Sequence, residues 1–175
     1  MNSVAKTGLK SIDELITSTK VLVIDDDYYM RKVIRSLLLA VGIKHVHEAA
    51  NGVDGLEAIP QIIPDVVVLD WEMPQLSGSE FMRMLRAPKT FSHPDVPVIM
   101  LTGHVERERV VEAIRLGVNE FLCKPVSANA LKARIMSVRG NPRPMVRIGD
   151  YYGPEPRKVK SNVRALTDLS EAVWV

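Results

Sequence analysis

Residues 21–27 read Val-Leu-Val-Ile-Asp-Asp-Asp, four aliphatic residues followed at once by three acids. Two later stretches repeat the aliphatic part of this pattern: Val66–Leu69 precedes Asp70, and Val98–Leu101 precedes Thr102. Short continuous apolar runs are typical of strands that are buried on both faces of a parallel sheet. We therefore predict three buried parallel strands, each of which ends in a polar residue.

Longer stretches with helical periodicity separate these strands. Apolar residues recur every three or four positions in 30–41, and Gly42 ends this helix as a C-terminal cap. The same kind of pattern predicts later helices at 53–59, 78–86, 106–116 and 127–138. Two further strands, Val46–Glu48 and Asn119–Cys123, complete the set within residues 20–139. We therefore predict an α/β fold, a doubly wound five-stranded parallel sheet with about five helices.

The composition is that of an ordinary globular chain. Of the 175 residues, 46% are hydrophobic and 25% are charged, which argues against disorder and coiled coil. The apolar runs are far shorter than the roughly 20 residues that cross a bilayer, and residues 1–19 lack the apolar stretch of a signal peptide. The single cysteine, Cys123, cannot form an internal disulfide. We therefore expect a cytoplasmic protein with no membrane insertion.

The net charge of +2 hides an uneven distribution. Residues 1–131 contain 14 basic and 17 acidic residues, whereas 132–164 contain 9 basic and 2 acidic ones. The second stretch also holds a cluster of prolines, a composition that opposes long helices and strands, namely Pro142, Pro144, Pro154 and Pro156. We therefore place a boundary near residue 140 and expect three parts: an N-terminal extension (1–19), the α/β domain (20–139) and a Pro/Arg-rich tail (140–175).

Polar residues end four of the five predicted strands. They are Asp25–Asp27, Asp70, Thr102-Gly103 and Lys124-Pro125. In open parallel sheets these ends meet in one crevice, where the functional site lies. Carboxylates this close repel one another unless a cation lies between them. Oxygen ligands suit Mg²⁺ better than zinc, because no second cysteine is present and no histidine has ligand spacing.

Carboxylates, Mg²⁺ and a lysine are what phosphoryl transfer requires: an oxygen nucleophile and cations that neutralise the phosphoryl oxygens. Asp70 is the best candidate for the nucleophile because it stands alone at its strand end, whereas Asp25 and Asp26 are adjacent and suited to holding a metal. The structural alternative is that Asp25–Asp27 cap the following helix and that Asp70 begins a turn.

Four segments then show a resemblance to the receiver domain of two-component response regulators, closest to the stand-alone chemotaxis type. The segments are Val21–Asp27, Asp70-Trp-Glu-Met-Pro74, Ile99-Met-Leu-Thr-Gly103 and Phe121-Leu-Cys-Lys-Pro125. The resemblance covers residues 20–139. It implies the flavodoxin-like receiver fold with strand order 2-1-3-4-5.

The resemblance also implies roles for the acidic residues. Asp70 would accept a phosphoryl group from a phosphohistidine of a sensor histidine kinase. Asp25 and Asp26 would hold Mg²⁺ together with Asp70 and the backbone carbonyl of Glu72. The side chain of Glu72 stands at a position that the family uses to tune the lifetime of the phosphorylated form.

The remaining motif residues would form the switch. Thr102 would hydrogen-bond one phosphoryl oxygen and Lys124 would pair with another, while Gly103 leaves the neighbouring space open. Phe121 occupies the position of the switch aromatic, which moves inward when Thr102 is drawn to the phosphoryl group. The Lys124–Pro125 peptide bond is cis in the family.

Other residues near these motifs have structural interpretations. We expect Asp27 to support the dipole of the first helix of the domain, and Trp71 to be a partly buried wedge beside the site. Cys123 falls in a strand predicted to be buried, so we expect it to be inert. In the N-terminal extension, Ser11-Ile-Asp-Glu14 predicts a capping box that opens a short helix.

The implied function is a signalling switch that acts by protein contact through its fourth helix, fifth strand and fifth helix on an unidentified downstream protein. It would not be an enzyme. A phosphorelay carrier, or a receiver that acts by binding alone, is an alternative. An aspartyl-nucleophile phosphohydrolase is a weaker one, because Tyr29 stands where its Asp-x-Asp-x-Thr motif needs Thr. A flavin or nucleotide binder is disfavoured, since the first loop is acidic and lacks a phosphate cradle.

The tail leaves three interpretations open: a solvated extension, a segment that docks on the receiver or a partner, and a basic strip that contacts nucleic acid or an anionic surface. About 36 residues after 139 leave no room for a DNA-reading output domain. Several apolar residues favour a protein surface over nucleic acid, namely Val163, Leu166, Leu169, Val173 and Trp174.

Overall fold

Five parallel strands form the centre of the computed structural model, which describes residues 11–104 and 106–157. The sheet order is β2-β1-β3-β4-β5, so the predicted fold class and strand order are confirmed. The strands are β1 (Lys20–Ile24), β2 (His45–Ala49), β3 (Val66–Asp70), β4 (Val98–Thr102) and β5 (Glu120–Cys123).

Helices cover both faces of this sheet. They are α1 (Ile12–Ser18), α2 (Tyr28–Ala40), α3 (Gly52–Ile62), α4 (Gly78–Leu85), α5 (Arg107–Arg115) and α6 (Ala128–Gly140). The apolar sides of α3, α4 and α5 pack on one face of the sheet, and those of α1, α2 and α6 pack on the other. Right-handed crossovers between parallel strands produce this two-sided arrangement.

The sixth of the described helices is α1, the short helix that the Ser11–Glu14 pattern predicts within residues 1–19. Ser11 caps α1, because its hydroxyl accepts a hydrogen bond from the backbone N–H of Glu14 and the Glu14 carboxylate accepts one from the N–H of Ser11. The predicted capping box is therefore confirmed. Ile16 is buried and belongs to the same core cluster as Ile135 and Val138 of α6.

The centre and the edge of the sheet differ in burial. Every residue of β3 and β4 is buried, as their continuous apolar sequences predict. In the edge strand β5, Glu120 and Leu122 are buried, whereas Phe121 and Cys123 are exposed. The prediction that Cys123 is buried is therefore wrong. An edge strand is covered less completely than a central one, and at this level only the face of β5 that bears Glu120 and Leu122 is covered.

The tail contains a small antiparallel hairpin of β6 (Met145–Ile148) and β7 (Tyr151–Pro154). Its two strands have four residues each, in keeping with a composition that opposes long elements, and Gly149 takes φ +58° in the turn. The described part of the tail, 141–157, contacts the α/β domain. The apolar residues of 163–174 lie outside the described residues. None of the described helices is long and apolar enough to span a bilayer.

Candidate functional site

The parallel register brings the polar strand ends together. Ile24 of β1 lies opposite Leu69 of β3, and Asp70 lies opposite Leu101 of β4, so the residues that follow these positions emerge at the same edge of the sheet. One carboxylate oxygen from each of Asp25, Asp26 and Asp70 lies within 4.8 Å of the others. The crevice that the strand-end residues predict is therefore present.

The three carboxylates differ in their exposure to solvent. Asp25 and Asp70 are buried, with only 1% and 5% of their surface exposed, whereas Asp26 is exposed. Asp25 accepts a hydrogen bond of 2.9 Å from the backbone N–H of Asp27. Asp27 itself caps α2 by accepting hydrogen bonds from the N–H groups of Tyr29 and Met30, so its predicted helix-supporting role is confirmed.

Lys124 reaches this acidic cluster from the end of β5. Its Nζ lies 3.0 Å from Oδ1 of Asp70 and 3.4 Å from Oδ2 of Asp25. The Lys124–Pro125 peptide bond is cis, as the resemblance implies. The ammonium group thus joins the two buried carboxylates and offsets part of their mutual repulsion.

Burial dominates the protonation of Asp70. Loss of solvation raises its pKa above the ordinary 3.8, Lys124 opposes the rise through its hydrogen bond and charge, and the charge of Asp25 adds to it. For Lys124, burial lowers the pKa, but Asp70 and Asp25 more than compensate, so the pKa lies above its usual value. Asp70 is therefore a carboxylate whose charge is poorly stabilised by the protein alone, which is typical of functional sites.

The donor set fits Mg²⁺. The cluster offers carboxylate oxygens and neither a histidine nor a cysteine, and the exposed position of Asp26 leaves one side open to water. Magnesium usually binds to one or two carboxylates and keeps several of its waters. A cation there would also relieve the repulsion between Asp25 and Asp70. The residues present are thus able to hold the ion.

Apart from Lys124, the predicted switch residues lie around the crevice and make no side-chain hydrogen bond to Asp70 among the described contacts. Thr102 is buried, and its hydroxyl donates to the backbone carbonyl of His104 at 2.9 Å and accepts from the N–H of His104 at 3.1 Å. Phe121 lies on the open side of β5 with 37% of its surface exposed. A Cβ atom added to Gly103 would have no heavy atom within 4 Å. The space beside Thr102 is therefore open.

A group of charged side chains at the mouth of the crevice was not predicted. The Glu72 carboxylate accepts hydrogen bonds from Arg109 of α5 and from Nδ1 of His104, the latter at 3.1 Å. Burial raises the pKa of Glu72, but the hydrogen bonds and charges of His104 and Arg109 together outweigh it, so the pKa lies below its ordinary value. No histidine has ligand spacing in the sequence, and no spacing pattern connects Arg109 with Glu72, 37 positions away.

Trp71 forms the wall beside Asp70. Its surface is only 6% exposed, so the ring is more deeply buried than the partly buried wedge that we expected. The ring packs against the start of α4, where a Cβ atom added to Gly78 would lie 2.4 Å from it. Any larger residue at position 78 would push the ring, and with it the segment that follows Asp70.

The fold and the site together define a class of protein. It is a doubly wound α/β domain whose parallel strands bear a buried aspartate, two further acids and a lysine at their carboxyl ends. Comparison with known families agrees with this class. Residues 21–136 match the response regulator receiver domain. The chain therefore belongs to the response regulator receiver family.

Individual relatives show the same relationship. The chain is 34% identical to chemotaxis protein CheY-3 of Vibrio cholerae over 116 residues, which is 66% of this chain and 88% of that protein. It is 36% identical to a chemotaxis protein CheY homolog of Campylobacter jejuni over 123 residues, 69% of this chain and 92% of that one.

Solved structures of receivers have the same fold. The receiver domain of the Francisella response regulator 1452 superimposes with a TM-score of 0.63 at 31% identity, covering 70% of this chain and 98% of that one. Vibrio cholerae chemotaxis protein CheY4 gives 0.62 at 28% identity, with 69% and 98% coverage. Each of these structures is covered almost completely, whereas about a third of this chain is not matched.

Proposed function

We propose that this protein is a phosphorylation-dependent switch of a two-component system, in which Asp70 accepts a phosphoryl group from a phosphohistidine of a sensor histidine kinase. The observation that carries the proposal is the geometry of Asp70. It is a buried carboxylate with a raised pKa, an ammonium group 3.0 Å away and two further acids beside it. Membership of the receiver family supports the same role.

The chemistry uses few protein groups. A carboxylate oxygen of Asp70 attacks phosphorus, the new P–O bond forms as the P–N bond to the histidine breaks, and the electron pair leaves with the imidazole nitrogen. Asp25 and Asp26 would hold Mg²⁺, with the backbone carbonyl of Glu72 as a further ligand. When bound, the ion supplies charge neutralisation for the phosphoryl oxygens. Lys124 is placed to pair with another of these oxygens.

The output would come from a rearrangement of Thr102 and Phe121. Among the described residues the Thr102 hydroxyl bonds to His104 in its own loop, and a phosphoryl oxygen on Asp70 would compete for it. Once Thr102 turns toward the phosphoryl group, the exposed ring of Phe121 can enter the space that the loop leaves. The surface of α5, β5 and α6 would then change shape for an unidentified downstream protein, a local charge event that biases a two-state element.

We propose further that the flanking parts are extensions of a single receiver, residues 20–139. The described part of the tail is a hairpin of two four-residue strands, which has no element that could act as a DNA-reading helix. A phosphorelay carrier remains the second candidate, because it needs the same acceptor chemistry at Asp70. In neither case would the chain be an enzyme with an external substrate.

The test is incubation with Mg²⁺ and a small acyl phosphate, in parallel with a phosphomonoester. We expect an acid-stable, base-labile adduct on the wild type and none on Asp70→Asn. Absence of the adduct on the wild type, or an undiminished adduct on Asp70→Asn, would contradict the proposal. Sustained turnover of the phosphomonoester that is lost on changing Asp25 and retained in Asp70→Asn would instead identify a phosphohydrolase.

A further inference from the structure

The end of the sheet opposite the acidic crevice contains a buried arginine that organises several loops. Arg86, at the end of α4, is 7% exposed. Its guanidinium donates to the carbonyls of Gly117 and Val96 at 3.1 and 2.8 Å, to the Asn119 side chain at 3.0 Å, and to the carbonyl of Pro94. Burial lowers the pKa of Arg86 to about 10, so it stays charged at neutral pH. These bonds hold the loops that lead into β4 and β5.

The tail lies directly on these loops. We call residues 141–157 the C-terminal strap. Arg143 donates to the backbone carbonyl of Asn119 at 2.7 Å, and the hydroxyl of Tyr152 donates to Asp95. The backbones touch at two glycines, since a Cβ atom added to Gly153 would lie 2.7 Å from Cα of Gly117. The strap therefore packs against the connection between α5 and β5, which belongs to the proposed output surface.

The last described residue of the strap reaches a buried acid in β5. The Glu120 side chain is 4% exposed, and it accepts hydrogen bonds from Arg157 and, at 2.8 Å, from the hydroxyl of Ser137. Arg134 is more distant at 3.6 Å, and Arg143 of the strap is close enough for the charge of Glu120 to raise its pKa in opposition to burial. A buried carboxylate that loses its nearest cation is destabilised, so the position of β5 and the attachment of the strap depend on each other.

Glu120 is the neighbour of Phe121 on the same strand. Side chains alternate along β5, so Glu120 points into the protein while Phe121 points outward, and a shift of the strand that accommodates Phe121 moves both. We propose that the Glu120–Arg157 ion pair is a latch through which the phosphorylation state of Asp70 controls how firmly the C-terminal strap is held. This inference rests on the proposed switch at Asp70.

The direction follows from the state in which the contact is formed. The Glu120–Arg157 ion pair is formed in this structure. In the same structure Thr102 bonds to His104 and the Phe121 ring is exposed, which is the arrangement expected before phosphorylation. A displaced β5 fits Arg157 less well, so the phosphorylated form holds the strap more weakly. Coupling is reciprocal: if phosphorylation weakens the latch, then breaking the latch must favour the phosphorylated form by the same factor.

Beryllofluoride, an analogue of the phosphoryl group, allows this reciprocity to be measured at equilibrium. The protein contains two tryptophans, and replacing Trp174 by Phe leaves Trp71, which directly follows Asp70, as the reporter. Beryllofluoride would be titrated with Mg²⁺ present in the full-length Trp174→Phe protein and in Arg157→Ala, Glu120→Gln and Arg147→Ala versions of it. Arg147 is exposed and makes no ion pair with the residues described, so Arg147→Ala removes the same charge from the strap as a matched control.

We expect Arg157→Ala and Glu120→Gln to bind beryllofluoride about fivefold more tightly or better, the lower end of usual coupling between sites, and Arg147→Ala to match the parent. Hydrogen exchange of the amides in 145–154 should also become faster when beryllofluoride binds the parent protein. Equal affinities in all four proteins, or equal gains in Arg157→Ala and Arg147→Ala, would overturn the latch while leaving the switch intact. No binding by the parent would overturn the proposed function together with the latch.

Discussion

The ammonium group of Lys124 lies 3.0 Å from a carboxylate oxygen of Asp70, a residue 54 positions earlier in the chain. Two different strand ends supply the pair, and the register of the sheet brings them together. Burial destabilises the charge on Asp70, and Lys124 compensates for only part of this cost. A further cation in the crevice would therefore stabilise the charged form of Asp70, the proposed acceptor.

Removing the cation of this pair should change the protonation of Asp70. In Lys124→Met the cation is lost while burial and the charge of Asp25 remain, so the pKa of Asp70 should rise further. The measurement is a carboxyl-carbon NMR titration without Mg²⁺. Lys44→Met serves as the control, because Lys44 is exposed and lies on the loop before β2. An Asp70 pKa that is unchanged or lower in Lys124→Met would contradict the electrostatic account of the site.

The raised pKa also predicts how stability depends on pH. A carboxyl whose pKa is higher in the folded than in the unfolded state costs stability as the pH rises through the interval between the two values. Asp70→Asn removes this cost. Without Mg²⁺ at pH 7 we therefore expect its Tm to exceed that of the wild type.

The difference in Tm should shrink as the pH falls from the raised pKa of Asp70 toward the ordinary 3.8, because the wild-type carboxyl is neutral in both states only below the lower value. Thermal unfolding at a series of pH values measures it. A wild type that is more stable than Asp70→Asn at neutral pH, without Mg²⁺, would show that Lys124 fully compensates for the burial of Asp70.

Metal binding separates the three adjacent acids. Asp26→Asn should weaken Mg²⁺ binding by about tenfold or more, or about 1.4 kcal/mol, because it removes one of the charged ligands. Asp27→Asn should leave the affinity unchanged, since Asp27 caps α2 and asparagine caps a helix equally well. Mg²⁺ titrations followed by Trp71 fluorescence in a Trp174→Phe background would measure both. An equal loss of Mg²⁺ affinity in the two variants would contradict the roles of Asp26 as a metal ligand and Asp27 as a helix cap.

The predicted fold follows from features that are local in sequence. The aliphatic runs in β3 and β4 identify buried strands because both faces of a central strand are covered. The boundaries are less well defined: α2 begins at Tyr28, two residues before the periodic apolar pattern, since its first turn is exposed and needs no apolar residue. Cys123 was wrongly expected to be buried because the sequence does not show how much of an edge strand is covered.

The site was predictable to the extent that it depends on strand ends. Asp25, Asp70 and Lys124 come directly after or end strands, and parallel pairing alone brings such residues together. The contacts of Glu72 with Arg109 and of Glu120 with Arg157 were not predictable. They join side chains of distant segments whose relative position is set by how α5 and the tail pack, and periodicity within one segment does not show which distant side chain it will meet.

Two glycines provide a test of the tail contact. Gly117 has φ +85°, and a Cβ atom there would lie 2.8 Å from the backbone oxygen of Tyr152. Gly117→Ala should therefore cost about 2 kcal/mol or more, from left-handed strain and the collision with the strap. Gly103→Ala, which meets no atom within 4 Å, should stay within about 0.5 kcal/mol of the wild type. Urea unfolding measures both, and equal effects would contradict the packing described.

The central claim is that Asp70 is the phosphoryl acceptor. The most direct measurement is mass spectrometry of the full chain after incubation with a phosphohistidine-bearing sensor kinase domain and Mg²⁺, followed by mapping of the adduct to a peptide. We predict one added phosphoryl group, located on Asp70 and absent from Asp70→Asn. A phosphoryl group located on any other residue, or one that persists in Asp70→Asn, would contradict it.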